Sequence, residues 1–245
     1  MEILIKKILK KIGLNKLFRY LGLNKILFGG TAFHRDKIMR KVILEIIDFF
    51  SVSAFVETGT YLGGGVYFIA KNNPKLPVFS CEIKKEYFEK AGKFLRKFLN
   101  VKIFNQKSED FLKQFQPSDL GECPLFFLDA HGHGFEPSPL KEEIKIITSK
   151  FERAIMIIDD FQVPKKEEFA YIVEKKQAFN FNLIKSSLKI GASYKLLYPF
   201  YSQKDSGTLT LIGYGIIFKN LDSQFSKFVK IPLVAENFQI YAYRN

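Results

Sequence analysis

The chain has 245 residues and a mass of 28.4 kDa, 47% of it hydrophobic and 26% charged, with 27 Phe and 11 Tyr. This excludes a disordered, fibrous or collagenous protein and supplies one sizeable core, as one large or two small domains. Lys and Arg number 38 against 25 acids, for a formal charge of +13; residues 1–30 hold seven of the bases and one acid, Glu2, and so contribute +6.

Apolar runs such as Ala154 to Ile158 fall far short of the roughly 20 residues of a spanning helix, so no membrane crossing is expected. Two cysteines, Cys81 and Cys123, and a start without a cleavable apolar leader point to a reducing, cytoplasmic setting without disulfides.

In chain order, Leu4, Ile5, Ile8, Leu9 and Ile12 fall on one side of a helix, and Lys6, Lys7, Lys10 and Lys11 on the other. The spacing predicts a basic amphipathic helix. Residues 1–35 read as a basic extension and 36–245 as the folded domain. A helical pattern from Asp36 to Phe50 leads into an alternation of strands and helices. Strands are predicted at Ala54 to Glu57, Val78 to Glu82, Val101 to Phe104, Leu125 to Asp129 and Ala154 to Asp159. Helices are predicted at Gly64 to Lys71, Lys85 to Leu99, Glu109 to Gln114 and Leu140 to Ser149. Five short apolar strands so separated imply a parallel sheet covered on both faces. After a helix near Glu167 to Gln177, Tyr194 to Tyr198 and Thr208 to Lys219 read as two strands free to pair antiparallel. Beyond Asn220 only Phe238 to Tyr243 reads as strand.

Open parallel sheets bind ligands beyond the carboxyl ends of their strands. Those ends carry Glu57 with a glycine-rich turn, Glu82, Ser108-Glu109, Asp129 and Asp159-Asp160. The turn runs Glu57-Thr58-Gly59-Thr60-Tyr61-Leu62-Gly63, without the dinucleotide fingerprint, since Tyr61 stands where its middle glycine belongs. Glu57 repels a pyrophosphate and suits an ammonium group, while Glu82 can accept hydrogen bonds from two ribose hydroxyls. Together these acids describe S-adenosylmethionine. A structural glycine turn with a solvated Glu82 is the competing explanation.

The pattern Glu57-x-Gly59-x-x-x-Gly63, Glu82 and Ser108-Glu109 resembles the class I methyltransferases over roughly residues 50 to 220. The resemblance implies an α/β, doubly wound Rossmann-like sheet of five parallel strands finished by a terminal antiparallel pair. It implies cofactor contacts from Glu57, Gly59, Thr60, Tyr61, Gly63, Glu82, Ser108, Glu109 and Asp129. The ends of strands four and five look like those of the divalent-metal-dependent O-methyltransferases, especially the macrocin type acting on sugar hydroxyls. Asp129, Asp159 and Asp160 then hold a divalent cation, Mg²⁺ or Mn²⁺. Three converging carboxylates repel unless a cation neutralises them, and a hard ion with oxygen ligands suits them; an Asp-Asp pair could instead cap a helix.

A sugar hydroxyl is nearly inert until it is acidified or deprotonated. The cation does the first, and an imidazole, which titrates near neutrality, does the second. Asp129-Ala130-His131-Gly132-His133 offers His131 as that base beside Asp129; macrocin-type enzymes are similar in this spacing, with Asp where His131 stands. The alternative is that His131 or His133 caps the next helix or is solvated. His34 reads as plain surface. The manganese ureohydrolases share Asp-Ala-His-x-Asp, but His133 fills the last place and that family leaves Glu57 unexplained. A His-x-His zinc site lacks further ligands at suitable spacing.

Net charge of this size first suggests nucleic acid. The bases, however, gather on a helix whose other face is aliphatic, which fits an anionic bilayer, each base contributing about 1 kcal/mol there. Alternatively the stripe packs on the domain itself or a partner subunit. The expectation is a Mg-assisted O-methyltransferase of a sugar, glycan or glycosylated natural product, held peripherally on the inner face of the membrane, with a homo-oligomer left open. The rivals are an RNA or nucleotide methyltransferase and a non-catalytic membrane-surface protein.

Overall fold

The computed structural model describes residues 32–131 and 137–241; the amphipathic helix expected within residues 1–30, and His133, lie outside the described residues. The parallel half of the chain runs through α1 (Lys37–Phe49), β1 (Phe55–Thr58), α2 (Gly64–Asn72), β2 (Val78–Cys81), α3 (Lys85–Leu95) and β3 (Val101–Phe104). It continues through α4 (Ser108–Gln114), α5 (Pro117–Leu120), β4 (Leu125–Leu128), α6 (Leu140–Lys150) and β5 (Ala154–Ile158). Each of the five predicted strands is found, within a residue at either end.

In α1, Ile38, Met39, Val42, Ile43, Ile46 and Ile47 form one buried stripe, and the Asp36 carboxylate accepts from the backbone N–H groups of Ile38 and Met39, both at 2.9 Å. Ile and Val are middling helix formers, so packing, at about 1.5–3 kcal/mol per buried side chain, holds this helix more than propensity does.

The parallel strands lie in the order β3-β2-β1-β4-β5, so the direction of travel reverses between β1 and β4. Right-handed crossovers then put α2 and α3 on one face and α6 on the other. Strands β1, β4 and β5 are buried along their whole length, as coverage of both faces requires.

The second half begins with three two-residue strands, β6 (Phe169–Ala170), β7 (Val173–Glu174) and β8 (Gln177–Ala178), where a helix was expected over Glu167 to Gln177. Lys175 and Lys176 both have positive φ, 48° and 66°. They form the two-residue turn of the β7–β8 hairpin, in which left-handed central residues match the strand twist and a helix cannot continue. Helices α7 (Phe181–Ile184) and α8 (Gln203–Ser206) flank β9 (Tyr194–Pro199). The strand expected over Thr208 to Lys219 is two: β10 (Leu211–Ile212), which pairs with β6, and β11 (Gly215–Lys219) in the main sheet. The break falls at Gly213, where a Cβ would stand 2.0 Å from the carbonyl oxygen of Phe161.

Strand β11 inserts antiparallel between β5 and β9, giving the expected antiparallel pair. Helices α9 (Asp222–Phe228) and α10 (Pro232–Ala235), both unanticipated, lead to β12 (Phe238–Tyr241), which adds an eighth strand against β9. The α/β Rossmann-like class is as expected. Among the described residues no helix is long and apolar enough to cross a membrane.

Candidate functional site

Register sets the site. Thr58 lies opposite Cys81 on one side and Leu128 on the other, and Leu128 lies opposite Ile158. Glu82, Asp129 and Asp159 are therefore each the first residue past a strand, on one level, around the β1/β4 reversal where ligands bind in such sheets.

On the β1–β3 side, Glu57 is buried and its Oε2 accepts a 2.7 Å hydrogen bond from the Ser80 hydroxyl, itself 2.6 Å from that of buried Thr60. Burial, opposed by the Ser80 hydrogen bond and reinforced by Glu82, pushes the Glu57 carboxyl up to about 8. Glu82 is satisfied by backbone: its Oε2 accepts from the Tyr61 N–H and its Oε1 from that of Lys84, each at 2.8 Å. Tyr61 is exposed, at φ 47°, with its ring edge-on to Tyr87. Gly63, at φ 81°, precedes α2. Ser108 is buried and Glu109 half-buried in the first turn of α4.

Gly59 has φ 88°, and a Cβ there would lie 2.3 Å from the Asp129 carbonyl oxygen. Its bareness lets the exit of β4 close against that of β1. Gly65 likewise leaves room for Glu57, whose Oε1 a Cβ would meet at 2.2 Å.

On the β4–β5 side, His131 is almost wholly enclosed, with 1% of its side chain exposed and its ring edge-on to Phe179. Its Nε2 lies 3.8 Å from Asp160 Oδ2 and 4.0 Å from Asp129 Oδ1, and neither ring nitrogen has a hydrogen-bond partner among the described residues. His131 caps no helix, since Pro139 precedes α6 and no side chain caps it. Nor does the Asp159-Asp160 pair, because no helix follows before α7 and Asp160 sits at φ 51°. Burial and then the like charges of Asp159, Asp160, Glu57 and Glu143 raise the Asp129 carboxyl well above its usual range.

Two residues were missed. His34 is at the surface as expected, with 40% of its side chain exposed, but not plainly so: its Nε2 lies 2.7 Å from Oδ2 of buried Asp159. Burial disfavours its charge, but the field and hydrogen bond of Asp159, with Asp160 and Asp36 behind, outweigh this and raise the imidazole to about 9. Phe33, His34 and Arg35 all have positive φ (48°, 52°, 68°), a run that costs about 1–2 kcal/mol per residue. It is held by the Arg40 guanidinium donating to the Ala32 carbonyl at 2.8 and 3.0 Å, and by the Phe33 ring edge-on to Phe68 and Phe127. The second is Glu143, fully buried on α6 and raised by that burial, with Ser108, His131 and Thr58 opposing. Its signal was legible, since Leu140, Glu143, Ile144 and Ile147 share one helical stripe.

Ligand atoms of His34, Asp159 and Asp160 lie within 4.8 Å of one another, and so do those of Asp129, His131 and Asp160. Asp160 belongs to both groups, while Asp129 and Asp159 fall in different ones. Three carboxylates and two imidazoles, with Asp159 Oδ1 and both His131 nitrogens buried and unpartnered, fit a divalent cation with oxygen and nitrogen ligands. Apart from this centre, Glu168, Ser202, Gln203, Leu209, Thr210 and Leu211 line a cleft of about 410 Å³.

No protein-family model matches the sequence, and no curated protein does. Solved structures do match in fold. One, described as an O-methyltransferase from Klebsiella pneumoniae, is 13% identical, with 75% of this chain and 80% of that one covered at a TM-score of 0.51. A cofactor-bound protein from MTB is 14% identical, with 75% and 80% covered, at 0.52. A third, from Galdieria sulphuraria and described as a sarcosine dimethylglycine methyltransferase, is 12% identical, with 74% and 85% covered, at 0.51. The chain has the fold that these three structures, two of them described as methyltransferases, share.

Proposed function

We propose that the protein is an S-adenosylmethionine-dependent, divalent-metal-assisted O-methyltransferase acting on a hydroxyl of a sugar, glycan or glycosylated natural product. The observation that carries this reading is the pair of clusters that share Asp160, one with Asp129 and His131 and one with His34 and Asp159, at the strand ends beside Glu57 and Glu82 where a methyltransferase-type sheet reverses.

S-adenosylmethionine, when bound, supplies the methyl group, and the cation, when bound, supplies Lewis acidity to the acceptor hydroxyl. Glu57 would take the ammonium group, Glu82 the ribose hydroxyls through its remaining lone pairs, and Ser108 with Glu109 the adenine. Gly59, Thr60, Tyr61 and Gly63 shape that seat, and Asp129 borders it. Asp159 and Asp160 would hold the cation with Asp129 at its edge. His131, beside Asp129, would accept the acceptor's proton, and Phe179 fixes its ring.

Calorimetric titration of S-adenosylmethionine with and without Mg²⁺ or Mn²⁺ tests the reading, together with methyl transfer to glycan acceptors. Turnover is expected to stop in excess chelator and return with the cation; full turnover in chelator removes the metal's role. The formal charge of +13 supports a second reading, transfer to RNA. It requires RNA methylation, with binding that falls steeply with salt. We further propose that residues 1–30 attach the protein to anionic lipid, tested by sedimentation with anionic vesicles before and after their removal.

A further inference from the structure

The acidic residues expected to form one ligand set are divided between two groups, each with an imidazole, and one of these imidazoles, that of His34, comes from the segment ahead of the first strand. We propose that His34, its Nε2 proton displaced to solvent when the ion binds, is a direct ligand of the cation, which is held by His34, Asp159 and Asp160, while Asp129 and His131 remain as the proton-accepting pair. The centre consequently prefers a first-row transition dication, such as Mn²⁺, over Mg²⁺. This rests on the divalent-metal reading of the cluster.

Three observations support it. His34 Nε2 faces Asp159 Oδ2 at 2.7 Å across 125 positions of sequence. Bonds of about 2.1 Å at right angles set neighbouring ligands about 3 Å apart, so an ion need widen this pair by only a few tenths of an ångström. Asp159 is 1% exposed, and its Oδ1 is a buried acceptor with no partner. On the other side of Asp160, enclosed His131 turns an unpartnered Nε2 toward the shared carboxylate at 3.8 Å.

The donor chemistry then selects the ion. Mg²⁺ takes oxygen ligands and keeps its water, whereas an imidazole beside two carboxylates suits Mn²⁺, Fe²⁺, Co²⁺ or Zn²⁺. The left-handed run at Phe33–Arg35, clamped by Arg40 and the Phe33 ring, is what carries the imidazole over β5.

The test is Mn²⁺ binding by the full chain, read by calorimetry and by electron spin echo modulation from a coordinated ¹⁴N. The wild type is expected to bind Mn²⁺ at least tenfold more tightly than Mg²⁺ and to show ¹⁴N modulation. His34→Gln keeps a hydrogen-bond donor near Asp159. It should lose the modulation and at least tenfold in Mn²⁺ affinity while Mg²⁺ affinity changes little, with a melting curve confirming the fold. His131→Gln should retain the modulation. Modulation that survives His34→Gln but disappears in His131→Gln overturns the assignment in favour of His131. Mn²⁺ bound without any ¹⁴N signal also overturns it and leaves the metal reading intact, whereas failure to bind either ion removes both.

Discussion

Glutamates at the ends of β1 and β2 and aspartates just past β4 and β5 lie along the same edge of the sheet with different partners. Glu82 has a backbone N–H on each oxygen and Glu57 has Ser80. Asp129, Asp159 and Asp160 instead confront one another, and the hydrogen bond they receive from another side chain is His34's, to Asp159. Burying a charge is costly unless it is paired. Glu82 is thus the acid that backbone satisfies, burial lifts both Glu57 and Asp129, and on the proposed reading a cation would relieve the aspartates as His34 relieves Asp159.

The largest expected break is at Asp160, the residue common to both groups. Asparagine tolerates its left-handed backbone, so Asp160→Asn should fold. Turnover should fall on the order of 10³-fold, the scale of losing metal and proton transfer together. The metal-free protein should meanwhile gain about 1 kcal/mol in denaturant unfolding, because a like charge is gone. A variant that keeps turnover removes the contrast between the halves.

Gly59→Ala probes how tightly the halves abut. Its φ of 88° and the 2.3 Å approach to the Asp129 carbonyl predict a loss of about 2–4 kcal/mol by denaturant melt.

The smallest effect sharpens the comparison through protons. Glu57 is held at about 8, above the ordinary 4.5. The folded state therefore binds this proton more tightly than the unfolded chain, and the stability it contributes is full below about 4.5 and lost as the pH rises through about 8. An ammonium ligand drives the proton off. Calorimetry at pH 7 in buffers of different ionisation heat should show net proton release on S-adenosylmethionine binding. Glu57→Gln should abolish that release and weaken binding about tenfold, roughly 1.4 kcal/mol.

Much of the scaffold was legible because its signals are local. Val101–Phe104 is a β-prone stretch with one exposed lysine, Lys102, between Asn100 and Asn105, and became β3 at its predicted bounds. Glu167 to Gln177 misled because Glu, Lys and Gln are good helix formers, and nothing in Lys175-Lys176 announces two left-handed residues. The insertion of β11 between β5 and β9 is a choice of neighbour that no single strand encodes. The acids at the strand tips were legible since register forces them together. His34 was not, because its partner is remote in sequence and the backbone that carries it is set by its neighbours, Phe33 packed on Phe68 and Phe127 and Ala32 held by Arg40.

The seating of Ala32–Arg35 has an evolutionary corollary. A peptide that lies ahead of every strand carries one of the groups beside the strand-end acids, so on the proposed metal reading replacing that segment by recombination would retune the ion bound while each sheet residue stays as it is. Hybrids that graft foreign leaders onto Asp36 would make ion choice a transferable trait.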